Sequence, residues 1–454
     1  MIRLRATGKK ALHLRYLVED FFGEVMMSDG EADFSLEKDL FTDYRKDPPY
    51  QFSVSSDSYL VSIHKYFSEE KEDLGGWGIM HGVRPLKWIH MRREEGWTTR
   101  AIQQDLLENG RLREDKLDLL FEVEANQKTF FESDRDKLSL YISLPFCPTI
   151  CHFCCFHSVP YTKRLSELYL SQLYEDLALL HEKIQENNKT VDIVYVGGGT
   201  PSSLRTEQLS ALLEQIERYF PKDSLKEYTI EAGRIDSFTE EKAELIAQFA
   251  TRVCINPQTF SEEVLQTVGR PSALEMKKWV HYFKEKGLLI NADLIAGLPG
   301  ESLQQFLHSL ERLIELEPEN ITIHQLSKKK GSKLMEDLQD NPSAGEMTTR
   351  AYQRLKDANF HPYYLYRQKK MVDRGENIGY AKKGTECLYN IRMMEDQHEV
   401  VAAGSNSVLK KIRGGKLTRL TNYRDVRVFL LNPERYGEHL QAFFADNDAR
   451  DEGE

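Results

Sequence analysis

The amino-acid sequence predicts an α/β protein. Six βα units fill the middle of the chain, an N-terminal region of α+β and then helical character precedes them, and a mainly helical C-terminal extension follows. Two observations carry this reading. Short apolar or β-rich runs, SLYISL, VDIVYV, EYTIEA, RVCINP, LINADLI and NITIHQL, alternate with helix-period stretches between about residues 138 and 330; strands spaced by helices in this way imply a parallel sheet. The intervening stretches also carry single apolar stripes, Tyr169, Leu173, Leu177, Leu180 and Ile184 in the first and Leu209, Leu212, Leu213 and Ile216 in the second. A stripe at that period lays one helix face against a sheet.

Taken in order, residues 1–135 form an accessory domain. Up to residue 65 the chain mixes strand-like alternation, as in QFSVSSDSYLVSIHKYF, with charged turns; residues 66–135 read as helical, with Thr98 as an N-cap and Gly110 as a stop in GWTTRAIQQDLLENG. Residues 136–330 are the six-unit core. Residues 331–454 begin with a charged helical stretch, pass through PYYLYRQKKMVDRGENIGYAKKG and end in an acidic tail, DNDARDEGE. With 454 residues and 40% apolar content, two to four ordinary cores can be filled. A net charge of −11 opposes binding to phosphate backbones, so no nucleic-acid partner is expected. Charges interrupt every apolar stretch, including the N-terminal MIRLRATGKKALHLRYLVEDFF, so neither a leader nor a membrane span is expected, and the location expected is the cytoplasm.

Four of the six cysteines fall within PFCPTICHFCCF, residues 145–156. In a reducing compartment such crowding favours metal or redox work over disulfides. Cys147, Cys151 and Cys154 make a CxxxCxxC pattern directly after the first core strand. Thiolates serve zinc and iron–sulfur clusters alike, so the cysteines alone do not choose the metal. A structural zinc site takes four ligands, commonly as two pairs, and no second pair exists here; His152 or His157 would have to complete it. Three thiolates on a cubane of four irons instead leave one iron open, and an open coordination position is where chemistry occurs. Cys254 and Cys387 stand alone and read as ordinary buried residues.

At these residues the sequence resembles the radical S-adenosylmethionine (SAM) superfamily, whose hallmark is CxxxCxxC after the first strand of a partial six-unit βα barrel. The resemblance implies a [4Fe-4S] cluster on Cys147, Cys151 and Cys154, with SAM on the open iron as the source of a 5′-deoxyadenosyl radical. VYVGGGTPSSL ends the second strand; Gly197, Gly198 and Gly199 leave the backbone bare at the carboxyl end of the sheet, where such folds bind ligands. In the superfamily this motif meets the methionine amino group of SAM, which implicates Gly198, Gly199 and Thr200. Glu231, Gln258, Arg270 and Asp293 each lie at or shortly after a core strand, so they can converge on one pocket mouth. In this order they match the pocket of oxygen-independent coproporphyrinogen oxidases, which gives Glu231 a ribose role and the other three further SAM contacts. Tyr141 and Phe153 also match positions that touch SAM there.

Both flanks extend the likeness. LGGWGIMHGVRPLKWIHMRREEG and PYYLYRQKKMVDRGENIGYAKKGTECLYN look like the HemZ-type coproporphyrinogen dehydrogenases, which carry an extra N-terminal domain. The reaction implied is oxidative decarboxylation of two propionates of coproporphyrinogen III to vinyls, giving protoporphyrinogen IX in haem biosynthesis. Its partners are a porphyrinogen or haem-type tetrapyrrole and a reducing donor such as flavodoxin or ferredoxin. Arg84, Lys87, Arg92, Arg93, Arg367, Lys369 and Lys370 are candidate cations for the carboxylates, although RPLKWIHMRREEG equally suits a solvated basic helix face. Two departures stand out: Cys155 comes one place early for the extended pattern CxxxCxxCxC, leaving Phe156 in its last position, and VVAAGSNSV has Ala402 and Ala403 where glycines are usual. Haem chaperones of the same family, which carry haem without making vinyls, and a radical enzyme opening the haem ring remain alternatives.

Overall fold

In a computed structural model, the described residues are 1–445 except 23–24, 38, 55–58, 72–74, 81–83, 132–135, 328–340, 342, 369–370, 397 and 414–415. The chain divides into two compact units, one of residues 1–125 and 365–377 and the other of residues 126–364 and 378–454. The acidic tail and the expected boundary near residue 331 lie outside the described residues.

The first unit begins with a five-stranded sheet in the order β2-β1-β3-β4-β5, from β1 (Ile2–Ala6), β2 (Val25–Met27), β3 (Phe34–Glu37), β4 (Leu40–Asp43) and β5 (Tyr50–Ser53). Helices Gly8–Phe22 and Tyr59–Ser68 close one core, in which Leu14, Leu17, Phe21, Ile63 and Phe67 bury against Phe34 and Phe41. Three helices follow, Leu86–Glu94, Thr99–Glu108 and Glu114–Gln127. Thr98 caps the second of them, its hydroxyl accepting from the Ala101 N–H at 3.3 Å. The Gly110 N–H returns to the Asp105 carbonyl at 2.9 Å where that helix stops.

The second unit is built on an eleven-stranded sheet. Its strands are β6 (Lys137–Leu144), then, past the short pair β7 (Phe146–Cys147) and β8 (Val159–Pro160), β9 (Thr190–Gly198), β10 (Glu227–Glu231), β11 (Arg252–Cys254), β12 (Leu289–Ala296), β13 (Asn320–Gln325), β14 (His361–Tyr366), β15 (Asn377–Ala381), β16 (Val400–Ala403), β17 (Val408–Arg413) and β18 (Lys416–Thr421). β6 and β9 to β13 are the six strands expected, adjacent in chain order and parallel throughout. Helix Lys163–Glu186 buries Tyr169, Leu173, Leu177, Leu180 and Ile184, and helix Thr206–Tyr219 buries Leu209, Leu212, Leu213 and Ile216. Both stripes thus face the sheet, which is what makes each crossover pack.

The C-terminal extension differs from the sequence reading in two respects. It has helices Ala344–Asp357, Leu388–Glu395, Val426–Leu431 and Glu434–Phe444, but it also adds five strands to the sheet, with β15 antiparallel beside β13 and β16 parallel beside β6. Most of it therefore belongs to the same compact unit as the six βα units, and two units stand where three domains are expected. β15 and β16 are buried at every position; short runs apolar on both faces carry no alternation from which a strand can be read. No described helix is long and apolar enough to cross a membrane.

Candidate functional site

The carboxyl ends of β6, β9, β10 and β11 carry the groups singled out by sequence. After β6 the chain forms β7, which pairs in parallel with β8 so that Cys147 lies opposite Pro160. The Tyr161 N–H donates to the Cys147 carbonyl at 2.8 Å and the Val159 N–H to the Pro145 carbonyl at 2.7 Å. These bonds close a loop that holds Cys151, Cys154 and Cys155. Its far side is pinned by His152, whose N–H donates to the Val268 carbonyl at 2.9 Å and whose Nδ1 lies 3.0 Å from the Thr267 carbonyl. With Nδ1 on a carbonyl, only Nε2 of His152 is left to meet a metal; His157 is exposed.

Cys151 is buried, and two arginines converge on its sulfur: Arg234 Nη1 at 3.4 Å and Arg270 Nη1 at 3.5 Å. Arg234 is itself fixed by the Asp236 carboxylate at 2.7 Å, the Thr149 carbonyl at 3.2 Å and the Thr149 hydroxyl at 3.0 Å. Arg270 also donates to the carbonyls of Gly233 and Asn256. Burial raises the Cys147 thiol, and it pushes Cys154 up to about 12, with the neighbouring Cys147, Cys151 and Cys155 raising it further. Cationic donors around clustered thiols favour the thiolate form that a metal cluster requires. Among the described residues no three Cys, His, Asp or Glu side chains form a preassembled metal group; what the cysteines share is one loop and its charge environment.

The glycine run explains how the loop is approached. Gly198 has φ +110°, open to glycine and strained for other residues. A Cβ on Gly197 would lie 2.6 Å from Glu231 Oε2, and one on Gly199 would meet the Phe146 carbonyl. The Thr200 N–H donates to that same carbonyl at 2.7 Å, and the Cys147 thiol lies 3.9 Å from the Thr200 hydroxyl.

Across the mouth, Tyr195 donates to Glu231 Oε2 at 3.2 Å and its hydroxyl lies 3.9 Å from Cys254 Sγ. Burial, then the charge of Asp293, pushes the Glu231 carboxyl up to about 7, although Tyr195, the Gly198 backbone and His324 act in the opposite sense. Asp293 Oδ2 is 3.4 Å from His324 Nε2. Gln258 sits at φ +68°, with its N–H on the Asp293 carbonyl at 3.0 Å. Its Oε1 and the Oδ1 of Asn256 are buried without a hydrogen-bond partner. Buried acceptors of this kind are rare unless a ligand completes them. Tyr141 stacks 6.0 Å from Tyr195, which stacks 4.4 Å from Tyr389. Phe153 is half-buried within the cysteine loop.

The structure thus brings Glu231, Gln258 and Asp293 to one mouth and Arg270 to Cys151. Sequence reasoning missed Arg234, Asn256, Tyr195 and His324. Arg234 and Asn256 each follow a core strand by a few residues, the same signal that singled out Gln258. Cys254, read as an ordinary core residue, lies beside Tyr195 in the pocket wall. The bare glycines, the arginine-flanked thiols and the two unpaired acceptors fit a cluster and an adenosyl ligand bearing hydroxyl and amine donors.

The candidate carboxylate-binding cations fare differently. Within the first unit Arg92 is taken by Glu95 at 2.8 Å and Asp105 at 3.4 Å, and Arg93 by Glu124 at 3.0 Å. Arg367 is buried and donates to the carbonyls of Met80, Arg374 and Gly375. These three hold the unit together, which corrects their reading as carboxylate contacts. Lys87 is exposed and Arg84 half-buried; Lys369 and Lys370 lie outside the described residues.

Comparison with known proteins places this geometry. The family model described as the radical SAM superfamily matches residues 141–313. A Bacillus subtilis (strain 168) protein named oxygen-independent coproporphyrinogen-III oxidase-like protein HemZ is 33% identical over 384 residues, covering 81% of this chain and 75% of its own length. The heme chaperone HemW of Escherichia coli (strain K12) is 27% identical over 305 residues, covering 64% and 75%. Among solved structures, the coproporphyrinogen III oxidase HemN of Escherichia coli, a radical SAM enzyme, superposes with a TM-score of 0.54 at 19% identity over 69% of this chain and 73% of that one, a likeness of fold. Arrangement and relatives agree: the chain belongs to the radical SAM superfamily, within the HemZ-type group of coproporphyrinogen oxidase-like proteins, whose cofactors are a [4Fe-4S] cluster and SAM.

Proposed function

We propose that the protein is an oxygen-independent coproporphyrinogen III dehydrogenase, converting two propionate side chains to vinyls to give protoporphyrinogen IX. The observation that carries this reading is the convergence at one mouth of the cysteine loop with unpaired, buried acceptors at Asn256 and Gln258 beside the protonatable Glu231. The haem chaperones of the family share the cluster and SAM site, so the HemZ relative's longer match is what favours the enzyme. When bound and reduced by one electron, the cofactor pair supplies a 5′-deoxyadenosyl radical able to take hydrogen from carbon.

Cys147, Cys151 and Cys154 hold the cluster, and Arg234 and Arg270 offset the charge on Cys151. Gly198, Gly199 and Thr200 let SAM approach the backbone. Glu231 accepts from the ribose hydroxyls, while Gln258, Asp293 and Arg270 line the rest of its pocket with Tyr141 and Phe153 at its edge. Removal of one β-hydrogen from a propionate, followed by loss of carbon dioxide and passage of one further electron to an external one-electron carrier in its oxidised form, leaves a vinyl group. The partners are therefore the tetrapyrrole and an external one-electron donor. Free thiols at all six cysteines suit a reducing cytoplasm.

A haem-carrying role is the second reading, favoured by the relatives named heme chaperones; the HemZ relative is matched over more of the chain, 81% against 64%. A radical enzyme that opens the haem ring shares the same core. Anaerobic reconstitution followed by reductant, SAM and coproporphyrinogen III separates these: divinyl product is expected. Deoxyadenosine without protoporphyrinogen points to another tetrapyrrole, ring-opened product from haem supports the third reading, and tight haem binding without SAM cleavage supports the chaperone.

A further inference from the structure

The second unit carries an open groove of about 670 Å³ that the chemistry above does not use, lined by Val159, Pro160, Thr162, Arg164, Leu165, Leu168, Asp425, Val426 and Arg427. It lies between the start of helix Lys163–Glu186 and helix Val426–Leu431. We propose that this groove docks an acidic one-electron carrier protein and is the entry point for the electron that the cofactors consume. The proposal rests on the radical SAM reading, because only a reducible cluster gives such a partner work to do.

Three observations point to that occupant. The first is position: Val159 and Pro160 in the groove wall form β8, the strand paired with Phe146 and Cys147. A partner seated there stands one strand away from a cluster cysteine. Solid packing continues inward, from Phe429 to Tyr169 to Phe146 with ring centroids 5.4 Å apart at each step.

The second is charge. The chain carries a net −11, yet Arg164 and Arg427 line the groove and Arg424 precedes it, all exposed and without an ion-pair partner among the described residues. Asp425 is turned to its own helix, capping the N–H groups of Arg427 and Val428 at 2.8 and 3.0 Å. Unpaired arginines on an acidic protein suit an acidic partner and speed its encounter.

The third is apolar exposure: Leu168 in the groove wall is 54% exposed, and on the bordering helix Val428 is 40% and Leu431 79% exposed. Large apolar side chains rimmed by arginines are the composition of a transient protein interface. A small weak interface is also what a carrier that must leave after each transfer requires.

The test uses the full chain and flavodoxin as probe, with a plant-type ferredoxin in parallel. Affinity of the oxidised carrier is measured by calorimetry. The wild type is expected to bind, and to bind more weakly as ionic strength rises from about 0.05 M to about 0.3 M. The double variant Arg164→Glu with Arg427→Glu should lose tenfold or more, whereas Lys277→Glu with Lys383→Glu, an exposed pair elsewhere, should bind like wild type. Deoxyadenosine formation driven by dithionite, which needs no docking site, should be equal in all three proteins.

Equal affinity of the two double variants, or no binding of either carrier by the wild type, overturns the proposal. So does sedimentation showing that the groove variant breaks a dimer of this chain, since the occupant is then a second copy. Failure of dithionite to drive SAM cleavage in the wild type counts against the enzymatic reading instead, and leaves the binding comparison intact.

Discussion

The two ends of the parallel sheet bury the same kinds of polar side chain and treat them oppositely. At the amino end, Arg252 lies 3.3 Å from Glu227 and donates to Asn291 at 2.7 Å and to the carbonyls of Thr385 and Glu386 at 2.9 and 3.1 Å. Glu227 in turn accepts from the Cys387 thiol and from the N–H groups of Leu388 and Tyr389. Arg392 meets Asp192 through two bonds, 2.6 and 3.0 Å. At the carboxyl end, Glu231 has a carboxylate, Asp293, as its strongest charged neighbour, and the acceptors of Asn256 and Gln258 meet no donor. Opposite charges paired in the interior anchor the C-terminal segment to the sheet. Like charges and unpaired acceptors destabilise the folded chain, and such groups persist where a ligand completes them.

The largest effect expected is at the cysteine loop. Cys151→Ala should abolish iron loading on anaerobic reconstitution, while Cys155→Ala should retain it; equal iron and sulfide loss in both variants shows that the three ligands are wrongly chosen. At the amino end, Glu227→Ala strands Arg252, which is 2% exposed, as an uncompensated buried charge. Urea denaturation should show a loss of roughly 3–5 kcal/mol, and a loss below about 1 kcal/mol would mean that this end is not the structural counterpart of the mouth.

Gly197→Ala tests the mouth without touching a functional group. Its Cβ would lie 2.6 Å from Glu231 Oε2 and 2.7 Å from Tyr195 Cε1, so the carboxylate must move. SAM affinity by equilibrium dialysis should fall about tenfold, or ~1.4 kcal/mol, with iron content unchanged; undiminished affinity removes Glu231 from the ribose.

The smallest effect is on pH. Glu231 titrates at about 7, so it is mostly protonated below that pH and ionised above it, and the ionised form accepts both ribose hydroxyls best. SAM binding should therefore tighten by a few-fold from pH 6 to pH 8. Asp293, His324, Tyr195 and Cys254 face the same carboxyl, and Glu231→Gln isolates its share by flattening the profile. A profile unchanged in that variant removes Glu231 from the pH dependence.

Much of this was legible in the residues. CxxxCxxC is a local spacing, and the six strands and two apolar stripes are local periods, so each could be read from adjacent positions. Glu231, Gln258 and Asp293 could be singled out because a polar residue at or just after a core strand has few structural reasons to be there. Arg92, Arg93 and Arg367 stood only as candidates because a basic residue looks the same in sequence whether it awaits a carboxylate or already holds a carboxylate or a carbonyl. β15 and β16 escaped because short buried strands carry no alternation.

By itself the sequence determined the CxxxCxxC spacing and the parallel core, both consequences of spacing along one segment. Tertiary structure decided which charges are paired and which are left open. Arg234 and Arg270 reach Cys151 across 83 and 119 residues of chain. Cys387 reaches Glu227 across 160. Such contacts depend on the order of strands in the sheet, and no period within a segment encodes them.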